Sequence, residues 1–96
     1  MLETEQFKYT LNDYEAPLKE LESSLDIENR KLDIEKYEYD MESPGFWDDN
    51  DRSTDTMKKL KQLKDIVEEY EKLVIDYSDI NDMIDMADEE GDVSFV

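Results

Sequence analysis

Ser43-Pro44-Gly45-Phe46-Trp47-Asp48-Asp49-Asn50-Asp51 is the stretch on which the fold turns. A helix arriving from the N-terminal side must stop here. Proline offers no backbone donor, and glycine takes the left-handed conformation of a helix end at little cost. The acids and asparagine of residues 48–51 suit the start of another helix, where unpaired N–H groups and the positive end of the macrodipole favour them. Between stop and start stand Phe46 and Trp47. Two aromatics at a turn, each able to bury roughly 150–250 Å², read as a structural plug for the end of a helix pair. A ligand pocket is the sharper and less economical reading.

Upstream of the turn, Phe7, Leu11, Tyr14, Leu18, Leu21 and Leu25 alternate by four and three, the seam spacing of an antiparallel or coiled-coil-like helix. Pro17 lies off that seam and predicts a kink, or a helix that restarts with Pro17 in its first turn. Asp26 is a candidate cap for a second helix, with Asn29 completing only part of a capping box. That helix carries Ile27, Ile34, Tyr37 and Met41 on one face. Leu25, Leu32 and Tyr39 form a second stripe on nearly the opposite face, either buried against another neighbour or exposed.

Downstream, Leu60, Leu63, Val67, Tyr70, Val74 and Tyr77 mark the seam of the longest helix, widened by Ile66, Leu73 and Ile80. Ser78-Asp79 is a candidate interruption, capping a short fourth helix through Ile80, Ile84 and Ala87 that ends at Gly91. The expected fold is all-α: an antiparallel three-helix bundle or long helical hairpin over residues 3–23, 26–42 and 50–77, with a short fourth helix near 79–89. One acidic helical domain over residues 1–90 is expected, with 91–96 as the start of a linker to a missing remainder.

Composition narrows the function. The chain has 96 residues, eleven Lys and Arg against 29 Asp and Glu, and a formal net charge of −18. Such a polyanion repels phosphate, so nucleic acid and anionic membrane surfaces are disfavoured and basic proteins are the natural partners. Charge this high also fits simple solvation. No run of apolar residues is long enough to span a bilayer, and the first residues lack the pattern of a signal peptide. A cytoplasmic chain is therefore expected.

Catalytic equipment is missing. With no histidine and no cysteine, Ser-His and Cys-His pairs are impossible and no thiolate is available to a metal. The acids of a helical polyanion are expected as solvated faces rather than an acid–base pair. The start Asp49-Asn50-Asp51 resembles a calcium loop, but Thr54 stands where glycine is needed and Leu60 where the bidentate glutamate is needed. Asp76, Asp79, Asp82, Asp85 and Asp88 recur every third residue, which spreads them around a helix rather than gathering them. No enzyme activity, cofactor or metal is expected. After Lys72 no basic residue follows, while residues 76–92 carry eight acids. Asp79, Asp82, Asp85 and Asp88 are accordingly the candidate contacts to a basic partner.

The junction Leu25-Asp26-Ile27-Glu28, the turn from Ser43 to Asp49, Ser53, and the heptads from Leu60 to Tyr77 together resemble the start of the bacterial peptide chain release factor 2 family. The likeness covers essentially the whole chain, and its most specific part is the turn from Pro44 to Asp48. It implies an acidic helical first domain in a factor that enters the ribosome, reads UAA or UGA and triggers hydrolysis of peptidyl-tRNA. It places that domain at the protein-rich base of the ribosomal stalk, where it influences the partner termination GTPase. The codon-reading Ser-Pro-Phe tripeptide and the Gly-Gly-Gln motif of the family are absent, and Ser43-Pro44-Gly45 is not the tripeptide. No catalytic or codon-reading role transfers to any residue here. The competing readings are a stand-alone acidic helical adaptor or coiled-coil regulator, and an anionic mimic of nucleic acid. Self-association stays open.

Overall fold

Pro17 shapes the N-terminal third. In the computed structural model, which describes residues 2–90, the first expected helix is two: α1, Leu2–Asn12, and α2, Glu15–Ser24. A proline ring clashes with the carbonyl four residues back, here that of Asp13, and the chain breaks at that point. Tight bonds close the break, from Asp13 N–H to the Thr10 carbonyl at 3.2 Å and from Tyr14 N–H to the Leu11 carbonyl at 3.0 Å. The helix then restarts with Pro17 in its first turn, where a missing donor costs nothing. The single helix expected over 3–23 is corrected accordingly.

Asp26 joins α2 to α3, Ile27–Met41, with φ 55° and ψ 47°. Aspartate is among the few residues other than glycine that tolerate this left-handed conformation. It stands at the cap position without capping through its side chain. Its carboxylate instead accepts the Asn29 side-chain amide at 2.9 and 3.0 Å. Arg30 adds a second clasp, donating Nε to the Leu25 carbonyl at 2.6 Å.

The decisive turn follows its sequence closely. Gly45 adopts φ 81°, where a side chain would be strained. A single 3-10 turn, Phe46–Asp48, leads to α4, Asn50–Glu90. Asp49 caps α4, its carboxylate accepting the Arg52 N–H at 3.0 Å, an arrangement that contributes about 1 kcal/mol. The two aromatics then part company. Phe46 is 1% exposed and Trp47 is 56% exposed. The two-ring plug is thereby corrected to one ring. Trp47 donates its indole N–H to the Met41 carbonyl at 3.1 Å, satisfying an end carbonyl of α3, and holds its ring edge-on to Phe46 at 4.9 Å. The polar tip of the indole is served by this position at the surface, whereas phenylalanine has no such tip.

α4 runs without a break through Ser78 and Asp79, so the separate fourth helix is also corrected. Serine and aspartate inside a helix cost only a few tenths of a kcal/mol, and no glycine or proline is present to end it. No strand occurs among the described residues, and the fold is all-α. The expected end at Gly91 and the linker over 91–96 lie outside the described residues.

The chain divides into two compact units. Of the described residues, 2–21 and 71–90 make one and 22–70 the other. In the unit of residues 22–70, Ile27, Phe46, Leu60, Val67 and Tyr70 are buried, with Ser53 and Thr56. Glu22 meets Tyr70 and Glu38 meets Lys64, so the contacts that come later in α2 and α3 fall earlier along α4. The second stripe is largely exposed, with Leu32 and Tyr39 open to solvent. In the other unit, Leu11, Ile84, Ala87 and Thr4 are buried. Pairs from Thr4 to Asp88 and from Lys8 to Asp85 set α1 antiparallel to α4.

Candidate protein-contact surface

The acid-rich end of α4 lies in the unit formed by residues 2–21 and 71–90. Its aspartates do not act alike. Thr4 donates its hydroxyl to the Asp88 carboxylate at 2.6 Å. Lys8 bridges Asp85 at 2.7 Å and donates to the Asn81 side chain at 2.8 Å. Asp85 and Asp88 are thus turned to α1, while Asp79 and Asp82 are exposed on α4. Each step of three residues turns about −60° around the axis, so Asp79 and Asp88 stand on opposite sides of it. The four candidates form a charged girdle rather than a pocket. Among the described residues, no three acidic side chains gather as a metal site would require.

Sequence reasoning missed a second feature of this unit. Beside the break between α1 and α2 lies an open groove of about 340 Å³. Leu11, Leu18 and Leu21 form one wall, and Leu73, Tyr77 and Ile80 of α4 form the other. The available signal was Pro17. A proline that interrupts a helix also interrupts the seam it carries, and the facing residues lose part of their partner. No residue of the 71–83 segment of α4 is buried.

The unit of residues 22–70 is electrically more mixed. Lys64 bridges Glu38 at 2.9 Å, and the i,i+4 pairs Asp55–Lys59 and Lys61–Asp65 run along α4. Hydrogen bonds to Asp55 and Asp65 hold Lys59 and Lys61 above the ordinary lysine value. Tyr70 donates its hydroxyl to Glu22 at 3.1 Å. Burial, and then that carboxylate, push the phenol above its ordinary value. The shallow hollow between α3 and α4 mixes Arg30, Asp33 and Lys59 with Tyr37, Leu63 and Ile66. No helix among the described residues is long and apolar enough to cross a membrane.

Comparison with known proteins adds what geometry alone does not. The PCRF domain family matches residues 30–95. Peptide chain release factor 2 of Staphylococcus haemolyticus (strain JCSC1435) is 33% identical over 94 residues, covering 96% of this chain and 25% of its own. The same-named protein of Staphylococcus aureus (strain COL) is 33% identical over 91 residues, covering 95% of this chain and 25% of its own. That of Staphylococcus epidermidis is also 33% identical over 91 residues, with 95% and 24% covered. The chain thus spans about a quarter of the length of the curated relatives it matches. No solved structure matches it. The resemblance carried by the turn from Pro44 to Asp48 and the flanking helices therefore extends along nearly the whole sequence, and the chain belongs to the PCRF domain family.

Proposed function

We propose that this chain is the first, protein-contacting domain of a cytoplasmic factor that acts in translation termination at UAA and UGA codons. The observation that carries this reading is the family match over residues 30–95, together with relatives named peptide chain release factor 2 that align with nearly the whole chain. The domain works at the protein-rich base of the ribosomal stalk and influences the termination GTPase. It performs no chemistry itself. The Gly-Gly-Gln motif to which the resemblance assigns hydrolysis is not in this sequence, and neither is a histidine or cysteine. Purified alone, it releases no peptide from a stalled termination complex.

The charge supports a protein partner over RNA. Among described residues, the unit of 2–21 and 71–90 has thirteen acids against three lysines. A surface of this sign is repelled by phosphate and attracted to basic protein. Asp79, Asp82, Asp85 and Asp88 are the proposed contact set. Exposed ion pairs contribute about 0–1 kcal/mol each, so the effect is collective. The test replaces all four by Asn in the full-length factor and follows its association with terminating ribosomes, and its recycling by the GTPase, at two salt concentrations. Slower association with a shallower salt dependence is expected. Unchanged rates at low salt would overturn the contact.

A further inference from the structure

We propose that the groove between the α1–α2 break and α4 seats a short amphipathic helix of a basic protein, with its apolar ridge inward and its Lys and Arg side chains toward the acidic surface of this unit. Three observations converge on that occupant. The walls are apolar, and Asp76 is the single ionisable carboxylate among the lining residues. On the α4 side, Leu73, Tyr77 and Ile80 stand at i, i+4 and i+7, along about 10 Å of helix. That length matches two turns of an incoming helix anchored by large apolar residues at i, i+3 or i+4, and i+7. These side chains stand open, with Leu73 48% and Ile80 46% exposed, which is unusual for large aliphatics aligned on one wall.

The third observation is charge. Each of the three lysines of this unit is already paired within it: Lys8 with Asp85, Lys19 with Glu15 and Lys72 with Asp76. Against them stand the thirteen acids of this unit, with Asp76 at the groove itself, so the surface around the apolar floor is strongly negative in sum. A second copy of the chain would bring like charge to like charge, and a nucleic acid would do the same. A cationic amphipathic helix satisfies both the apolar floor and the negative charge of the unit.

This inference deepens the proposed protein-contact role and rests on it only for the kind of partner, not for the groove. The probe is a fluorescently labelled helical peptide with leucines at i, i+4 and i+7 and lysines on its flanks, titrated into the 96-residue chain and followed by anisotropy. Saturable one-to-one binding is expected. Leu73→Ser with Ile80→Ser should weaken it about tenfold or more. Ile75→Ser, exposed but outside the groove, should leave it unchanged. Circular dichroism and the urea midpoint of each variant establish that the fold is kept, and a peptide with serine in place of its leucines supplies the same comparison without altering the chain.

If the serine-ridge peptide binds as tightly as the leucine peptide, charge alone is responsible and the groove is not the site. Indifference to Leu73→Ser with Ile80→Ser overturns it too. A dimer in sedimentation that these substitutions dissolve would assign the groove to a second copy instead. Failure of the peptide, with the four-aspartate variant still slow to reach the ribosome, would remove the groove and leave the acidic contact standing.

Discussion

α4 carries the same spacing of apolar residues along two stretches and buries them differently. Between residues 53 and 70 the seam is closed, with Leu60, Val67 and Tyr70 all buried. Between residues 71 and 83 the seam continues through Leu73, Val74, Tyr77 and Ile80, yet nothing there is buried. Periodicity states which side chains share a face. Whether that face is covered depends on what stands opposite. The first stretch faces α3, which runs unbroken from Ile27 to Met41 and meets it at Glu38 and Lys64 within the same unit. The second belongs to the unit in which the facing helix is broken at Asp13 and Tyr14.

The largest expected effect tests the closed end. Phe46→Ala should cost roughly 3–5 kcal/mol, comparable with the whole stability of a domain this small, whereas Trp47→Ala should cost far less. Urea unfolding followed by circular dichroism measures both. Equal losses would mean that the indole is as deeply packed as the phenyl ring. Next in size is the direct comparison along α4. Leu60→Ala should lower stability by about 2–5 kcal/mol, and Leu73→Ala by well under half as much, because little is removed from contact there. Comparable losses at the two sites would close the distinction between the stretches.

The smallest effect concerns the last buried residue before the open stretch. Tyr70 has its phenol raised by burial and by the Glu22 carboxylate. Its neutral form is the one the fold favours, so the associated stability is complete below the ordinary phenol value and is lost as pH rises through the raised one. A titration of phenolate absorbance should contain a step delayed above the ordinary phenol value, and Tyr70→Phe should remove it. If Tyr70→Phe leaves the shape of the titration unchanged, the Tyr70 site is open to water.

Much of the fold was legible because its signals are local. Pro44 and Gly45 end one helix, Asp49 begins another, and the spacing from Leu60 to Tyr70 marks a buried face. Pro17 allowed either a kink or a restart, and the carbonyl four residues back decided for the restart. Ser78-Asp79 misled, since residues that favour caps do not create one unless the chain also leaves the helix. Trp47 misled in another way. Size argues for burial, but the indole N–H found the Met41 carbonyl at the surface. The aspartate girdle was visible as a charge gradient, whereas the engagement of Asp85 and Asp88 by α1 depended on the antiparallel register, which no single helix reveals. The groove was hidden because its walls look like ordinary seam residues until the break is placed.

Trp47 is the sole tryptophan of the chain, and it sits on a turn wholly inside the unit of residues 22–70. Its indole is open to water yet tethered to the end of α3 by one hydrogen bond and to Phe46 by an edge-on contact. Its emission therefore reports the state of that unit alone. The other unit is represented in fluorescence only by tyrosines such as Tyr9, Tyr14 and Tyr77. The molecule thus carries an intrinsic lamp at one end of its energy landscape and none at the other. Helical signal lost while the indole spectrum stays still would mark the opening of residues 2–21 and 71–90 ahead of the rest, a separation of cooperative units that no added label is needed to see.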